Sequence, residues 1–175
     1  MERHRLAFRD VRETLLAEQA PQLHAAALCL ARVLARQGTV FLCGVGGGAV
    51  RRAALHLTEA IAGGYALQRP ALPAVHLDGD MPLLARRLES LGMSGDALLL
   101  LHQSAEYEAE PLLCAARSAS MESVVLPCMS VTADAPFFAV AARLFILTDT
   151  VARLVEHYLF ENMAALLEET QQEHS

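Results

Sequence analysis

The sequence predicts an α/β fold, in which a five-stranded parallel sheet lies between helices and two extra helices precede the first strand. Three observations support this fold class. Short apolar runs alternate with helical segments, these runs show no regular alternation of apolar and polar residues, and the first run ends in a glycine-rich turn. Alternating strands and helices are typical of βαβ units, and nearly continuous apolar strands are typical of a sheet covered on both faces. We therefore expect a three-layer α/β/α arrangement.

The first 37 residues are predicted to form two helices. Apolar side chains recur near a 3.6-residue period on both sides of Pro21, which interrupts the pattern. Gly38 is a natural stop for the second helix. Because no apolar strand run occurs before this point, both helices lie outside the βα repeat.

Five apolar runs are predicted as strands, with helical segments between them and a long helix at the end. The first run, residues 39–45, leads through the glycine-rich turn into a helix. The other four runs lie at residues 74–77, 97–101, 124–126 and 144–147. We expect a single domain over residues 1–175, divided into N-terminal helices at 1–37, a βα core at 38–148 and a C-terminal helix at 149–172.

Composition and charge exclude several classes of protein. The chain has 175 residues, of which 54% are hydrophobic and 19% charged, so it fits one domain with a sizeable core and excludes bulk disorder. The net charge is −6, and all 14 basic residues are arginine. The absence of lysine excludes a Schiff-base lysine and a P-loop lysine. The acidic balance predicts that the protein does not bind nucleic acid directly.

Apolar runs and cysteines give predictions about location and metal binding. The longest apolar runs, about eight residues, are too short to span a bilayer, and the polar N-terminus does not read as a signal peptide. We therefore expect a cytoplasmic protein without a membrane partner. The four cysteines form no C-x-x-C pair, so a zinc or redox motif is unsupported and free core cysteines are expected.

The glycine-rich turn after the first strand is the main candidate for ligand binding. It contributes Gly44, Gly46, Gly47 and Gly48, and the helix that follows offers free N–H groups that suit a phosphate. The turn also fits G-x-G-x-x-A, a dinucleotide fingerprint that requires an acid about 20 residues further on. The acid after the second strand is Asp78, 34 residues beyond Gly44. Three interpretations of the turn stay open: it binds a phosphorylated ligand, it binds a nucleotide, or it binds no ligand.

Five short motifs follow one another from the first strand to the third. They are C-G-V-G-G-G at 43–48, H-L-T-E at 56–59, G-G-Y at 63–65, R-P-A-L-P-A at 69–74 and G-D-A-L-L at 95–99. This series resembles the sugar isomerase (SIS) family, in particular its phosphoheptose isomerase branch, whose pattern contains C-G-N-G-G-S, H-F-x-x-E, G-x-Y/F, R-P-x-L-P-A and G-D-V-L-L. The resemblance implies a SIS-like α/β/α fold with two leading helices, and an origin in enzymes that isomerise sugar phosphates.

The phosphate-binding motifs of the family are altered in this chain. The serine that ends the first turn in the family is replaced by Gly48. The main phosphate loop of the family, S-T-S-G-N-S, corresponds to residues 102–107, where only Ser104 is kept and His102 takes the first position. We retain His102 and Ser104 as candidate ligand residues. The glutamates that follow in the sequence would oppose a phosphate dianion.

The resemblance also implies a catalytic pair. The isomerases use a glutamate on the helix after the glycine turn and a histidine on the last helix, and some members hold zinc with these and neighbouring residues. His56 matches the histidine of the first of these helices, whereas the glutamate position falls on Ala60. On the last helix the histidine position falls on Glu161, and a shift of one turn would place His157 there instead. The candidate catalytic residues are therefore His56, Glu161 and His157, with no metal ligand assigned.

Three functions remain open after the sequence is considered. The leading interpretation is a non-catalytic SIS protein resembling DiaA, a homodimer or homotetramer that binds a protein partner such as DnaA. A second is a sugar-phosphate isomerase that uses His56 with Glu161 or His157. A third is a nucleotide-binding protein that uses the glycine turn. No cofactor is expected, except zinc if isomerase activity is retained.

Overall fold

The fold confirms the predicted α/β class with a parallel sheet. A computed structural model of the chain describes residues 2–63, 70–102, 109–127 and 137–173. Helices and strands alternate after the first helix, in the order α1 (Glu2–Ala35), β1 (Val40–Val45), α2 (Gly48–Gly63), β2 (Ala74–Leu77), α3 (Met81–Leu91), β3 (Ala97–His102), α4 (Glu110–Ser118), β4 (Glu122–Pro127) and α5 (Phe137–Glu173).

All four described strands are parallel, in the order β2-β1-β3-β4. Strand β1 lies between β2 and β3, with Cys43 opposite Leu77 on one side and Leu100 on the other. The carboxyl ends of the strands therefore share one edge of the sheet, which is where parallel α/β sheets bind ligands. The glycine turn, Asp78 and His102 all follow or end strands at this edge.

Two apolar clusters, one on each face of the sheet, form the core. Strands β1 and β3 are buried along nearly their whole length, as the uninterrupted apolar runs predicted. Leu42, Leu99 and Leu101 face the cluster that contains α1, α2 and α5, whereas Phe41 and Leu98 face α3 and α4. Alternate residues of one strand thus enter opposite clusters, because side chains alternate across a sheet.

The N-terminal segment differs from the prediction, because α1 is one continuous helix with Pro21 inside it. A proline in a helix interior costs about 3 kcal/mol through one lost hydrogen bond and a steric clash. Apolar packing of α1 against α5 offsets that cost. The buried α1 side chains after the proline belong to the same core cluster as those of α5; they are Leu23, Ala26, Ala27, Leu30, Ala31, Val33 and Leu34.

The predicted fifth strand is wrong, since residues 144–147 lie within α5. The sheet has four strands in the part of the chain that the structure describes. Leu144, Thr148, Val151 and Val155 are all buried and recur at helical spacing, so one face of a single helix packs into the core cluster beside α1 and α2. A run of four apolar residues does not distinguish a strand from a buried helix. Consequently the C-terminal helix begins at Phe137 instead of residue 149.

The described helices contain no segment that is both long and apolar enough to cross a membrane.

Candidate functional site

The glycine turn joins β1 to α2 by a very close approach of two backbone segments. A Cβ atom on Gly44 would lie 2.6 Å from the carbonyl oxygen of Val50, so only glycine fits there without a backbone shift. Gly46 has a φ of 128°, a conformation that glycine adopts far more readily than other residues. The turn thereby brings the start of α2 directly over the end of β1.

One cavity lies between α2 and α5, and we call it the α2–α5 cavity. Its volume is about 200 Å³. One face of α2 and one stretch of α5 line it, with Ala49, Arg52, Ala53 and His56 on α2 and Leu144, Phe145 and Thr148 on α5. Because Ala49 follows Gly48 directly, the cavity begins at the glycine turn and extends two helical turns along α2. A small phosphorylated molecule could reach both the turn and His56.

His56 is the most unusual side chain of this cavity. Its ring stacks on Phe145 with the ring centres 5.7 Å apart and an interplanar angle of 18°. Its Nε2 atom is buried and has no hydrogen-bond partner among the described residues. Buried polar atoms are nearly always paired, so an unpaired one calls for a functional explanation. The missing partner fits a group that a bound ligand would supply.

Arg52 lies beside the glycine turn in the same cavity. One of its guanidinium nitrogens, Nη1, is 3.6 Å from the position that a Cβ atom on Gly48 would occupy. The guanidinium therefore lies close to the N-terminus of α2, where backbone N–H groups and the helix dipole already favour an anion. Arginine binds phosphate in a planar, two-point geometry. Arg52 can thus supply donors that Gly48, having no side chain, does not.

A second cavity lies on the other side of α2, and we call it the β1–β2 cavity. Its volume is about 310 Å³. The ends of the two strands and the starts of α2 and α3 line it, with Gly44, Val45, Gly46, Arg51, Gly79, Asp80, Met81 and Leu84. Asp80 caps α3, since its Oδ1 accepts a hydrogen bond from the N–H of Leu83 at 3.0 Å.

His102 lies next to the glycine turn, as the sequence predicted. It is the last residue of β3 and is paired in register with Val45, the last residue of β1. Its side chain is half-buried. Ser104, the other candidate ligand residue after β3, lies outside the described residues together with the rest of that loop.

Comparison with known proteins places the chain in a family. The SIS domain matches residues 5–125, which is more than half of the chain. A phosphoheptose isomerase of Desulfovibrio desulfuricans is 32% identical, in a match covering 89% of this chain and 86% of that protein. The chain belongs to the SIS family, in the phosphoheptose isomerase group. A phosphoheptose isomerase of Nitratidesulfovibrio vulgaris is 25% identical, with the same shares covered.

Solved structures support the same fold. A phosphoheptose isomerase from Francisella tularensis has a TM-score of 0.67 and 19% identity, covering 90% of this chain and 99% of that one. The enzyme from Neisseria gonorrhoeae has a TM-score of 0.62 and 16% identity, covering 90% and 100%. At these identities the likeness concerns the fold alone. The SIS architecture therefore holds despite the altered phosphate motifs.

Ala60, where the resemblance predicts the family's catalytic glutamate, provides no carboxylate. Ala60 is buried in the apolar cluster between α2 and the sheet. Glu59 is exposed and is rotated by about 100° from Ala60 around the helix. Of the α2 side chains that line the α2–α5 cavity, only Arg52 and His56 are ionisable. Proton transfer in this cavity would therefore depend on His56.

His157 and Glu161 are not brought to His56 within one chain. They form an exposed ion pair with each other, Nε2 to Oε1 at 3.3 Å. Phe145 is the α5 residue that contacts the ring of His56. Since α5 rises about 1.5 Å per residue, His157 and Glu161 lie about 18 and 24 Å further along it. The catalytic roles of His157 and Glu161 stay predictions, because within one chain these side chains lie far from His56.

The side chains around His56 do not fit a zinc site. In the described segments of the chain, no three His, Cys, Asp or Glu side chains lie close enough together to hold a metal ion. The cavity next to His56 instead contains the cationic Arg52 and the apolar ring of Phe145. Zinc prefers three or four nitrogen, sulfur or carboxylate ligands. We therefore assign no step to a metal at this site.

Sequence reasoning did not select the two arginines at the start of α2 as ligand residues. Arg51 and Arg52 are consecutive, so they point about 100° apart and each enters a different cavity. Neither arginine belongs to a motif of the family pattern, so the orientation of α2 is needed to see that they line cavities.

The cysteines are expected to differ sharply in reactivity. Burial raises the pKa of the Cys43 thiol from an ordinary value of 9.0 to about 12, so it stays protonated at neutral pH. Cys114 is exposed, contrary to the prediction of core cysteines, and its Sγ accepts a hydrogen bond from Arg117 at 3.0 Å. At pH 8, iodoacetamide should modify Cys114 readily and leave Cys43 unmodified, as peptide mapping would reveal. Rapid labelling of Cys43 in the folded protein would contradict its burial.

The same pKa predicts a change of stability at high pH. The unfolded thiol of Cys43 ionises near 9, whereas the folded thiol stays protonated until about 12. Proton release therefore favours the unfolded chain as pH rises between these values. We expect its contribution to the free energy of unfolding to fall by about 1.4 kcal/mol per pH unit in that window. Urea unfolding of wild type and Cys43→Ala at pH 8 and pH 10 measures this difference.

Proposed function

We propose that this protein is a sugar-phosphate isomerase that takes a phosphorylated ketose of the heptose type in the α2–α5 cavity. The observation that carries the proposal is His56, whose buried, unpartnered Nε2 belongs to a residue lining a cavity that starts at the glycine turn. The relatives named as phosphoheptose isomerases support the choice of substrate class.

The phosphate of the substrate would bind at the start of α2. The glycine turn allows a ligand to approach the backbone, and the helix N-terminus attracts an anion. The guanidinium of Arg52 adjoins Gly48 and supplies charged donors. This arrangement replaces the serine hydroxyl that the family has at position 48. The substrate's phosphate end is thereby held about two helical turns from His56.

His56 would carry the proton in the reaction. Isomerisation of a ketose removes a proton from C1 and gives an enediol, and a proton then returns at C2 while the hydroxyl proton moves from O1 to O2. A single base can perform both transfers at carbon if it stays on one face of the enediol. Nε2 is free to accept a proton when Nδ1 carries the hydrogen. A ligand that closes the cavity would also exclude water from this transfer.

A second candidate is a non-catalytic protein that binds a protein partner. The specific observation in its favour is Ala60, which stands buried where the family has its catalytic glutamate. Phe160 on α5 is 68% exposed and could contact a partner protein or a second copy of the chain. A homo-oligomeric scaffold of the DiaA type, with DnaA as its partner, would need no proton transfer.

Two measurements on the same samples separate these candidates. Calorimetric titration with sedoheptulose 7-phosphate measures binding, and NMR of the same mixture measures conversion to the aldose, each with and without added zinc. Binding with conversion supports the isomerase. Binding without conversion supports a sugar-phosphate-binding scaffold, and no binding at millimolar ligand overturns the proposal.

Returning the family's serine to the turn tests the phosphate position. A Cβ atom on Gly48 would make only an ordinary contact, 3.6 Å from Arg52 Nη1, so Gly48→Ser should fold normally. The added hydroxyl should tighten binding of inorganic phosphate by about threefold to tenfold, the value of one net hydrogen bond. Gly63→Ser at the far end of α2 is the matched control. Equal phosphate affinity in Gly48→Ser and wild type would place the phosphate elsewhere.

A further inference from the structure

The β1–β2 cavity is separate from the cavity used in the proposed function. Arg51 lines the β1–β2 cavity and Arg52 lines the α2–α5 cavity, because these consecutive residues point to different sides of α2. Its volume of about 310 Å³ lies at the lower end of the range for small-molecule sites. It also lies at the carboxyl edge of a parallel sheet, where such sheets bind ligands. A different ligand can therefore occupy it.

The cavity has the spatial arrangement of a nucleotide fingerprint. That fingerprint needs a glycine turn after one strand and an acid at the end of the neighbouring parallel strand. Cys43 and Leu77 are paired in register on β1 and β2, so Gly44 and Asp78 are the next residues on adjacent strands. Adjacent strands lie about 4.8 Å apart. The unusual separation in sequence reflects only the length of the chain between the strands.

Arg51 lines this cavity, and its partner Asp78 lies beside the cavity next to the lining residue Gly79, so the pair suits a ligand with both a diol and an anionic group. Arg51 Nη1 and Asp78 Oδ1 are 4.0 Å apart, and their side chains are 53% and 62% exposed. An exposed pair at this distance is worth little, so a ligand can separate it at small cost. The guanidinium can then donate to a phosphate, and the carboxylate can accept from two hydroxyls.

The remaining lining favours a nucleotide over inorganic phosphate. Asp78 and Asp80 place two carboxylates near Arg51, and Arg87 also lies close, since its Nη1 donates a hydrogen bond to the carbonyl oxygen of Asp78 at 2.8 Å. A ligand with hydroxyl groups can therefore donate hydrogen bonds to these carboxylates that fully ionised inorganic phosphate cannot. Val45, Met81 and Leu84 provide apolar surface of the kind that a base or a ribose ring can cover. Gly44 and Gly46 leave room for close approach to the backbone.

We propose that the β1–β2 cavity binds a ribonucleotide, with its phosphate at Arg51 and its ribose hydroxyls at Asp78, the partner of Arg51 beside the cavity. This site is independent of the isomerase proposal, because it uses the opposite side of α2. The nucleotide and the sugar phosphate can bind at once, so the protein would have a second ligand besides its sugar phosphate.

Calorimetric titration with AMP and with 2′-deoxy-AMP tests this site directly. Wild type should bind AMP about tenfold more tightly than 2′-deoxy-AMP, because the deoxy form lacks one hydroxyl for the carboxylate. Asp78→Ala should abolish that preference, and Arg51→Gln should weaken both ligands. Arg86→Gln, an exposed arginine on α3 that does not line the cavity, is the matched control and should match wild type.

Three results would overturn the proposal. One is the absence of AMP binding at millimolar concentration in wild type. Another is an unchanged preference for AMP in Asp78→Ala. Because the Asp78 side chain is exposed, this variant should fold, as circular dichroism would show. The third is competition between AMP and sedoheptulose 7-phosphate, which would place both ligands in one cavity. All of these experiments measure binding. Their outcome therefore does not depend on whether the protein has isomerase activity.

Discussion

Replacing His56 by alanine should lower isomerase turnover by about 10²- to 10⁴-fold, the contribution of a positioned general base. Its imidazole carries the only unprotonated ring nitrogen that can act as a base among the described side chains that line the α2–α5 cavity, when Nδ1 carries the hydrogen. The phosphate contacts at Arg52 and the glycine turn stay in place in this variant. We therefore expect kcat to fall much more than the affinity for sedoheptulose 7-phosphate, as steady-state kinetics and calorimetry would measure.

His76→Ala is the matched control for this variant. His76 on β2 is also half-buried with an unpartnered Nε2, yet it does not line the α2–α5 cavity. Its loss should leave kcat unchanged. Added imidazole should restore part of the activity of His56→Ala by filling the space left by the ring. Equal turnover in wild type and His56→Ala would remove His56 from the mechanism.

Replacing Gly44 by alanine should lower the free energy of unfolding by about 3 kcal/mol, the upper part of the usual cost of overpacking. The added Cβ atom would lie 2.6 Å from the carbonyl oxygen of Val50 and 2.8 Å from the Cα of Arg51. Both are backbone atoms, so no side-chain rotation can relieve the clash. The start of α2 must move, and the binding of phosphate at the turn should weaken as well.

Gly63→Ala provides the control for this substitution. Gly63 ends the same helix, and a Cβ atom there would meet no described atom within 4 Å. Urea unfolding should show Gly63→Ala to be as stable as wild type or slightly more stable, since alanine favours helices. If Gly44→Ala unfolds at the wild-type urea concentration, the close approach of β1 and α2 is not as tight as described.

The fold class could be predicted from the sequence because strand runs and helical runs differ in length and periodicity. Strand β3, with five buried apolar residues, illustrates this well. Residues 144–147 illustrate the failure, since four apolar residues fit a strand as well as one turn of a buried helix. The predicted break at Pro21 was wrong for a related reason, because whether a proline ends a helix depends on the tertiary packing around it.

The candidate site was only partly accessible from the sequence. His56 could be selected because the R-P motif after α2 sets its register, and the structure places it in a cavity behind the glycine turn. Glu161 and His157 could not be located reliably, since a long apolar helix without a break allows shifts by whole turns. Arg51 and Arg52 look like ordinary surface arginines until the orientation of α2 is known.

Exchange of solvent deuterium into sedoheptulose 7-phosphate tests the central claim most directly. Proton transfer at carbon through His56 predicts that wild-type protein in D₂O replaces a C1 proton by deuterium, and that His56→Ala does not. NMR can follow this even when the overall equilibrium lies far to one side. Binding of the sugar phosphate by wild type with neither deuterium exchange nor formation of the aldose, with zinc present and absent, would contradict an isomerase.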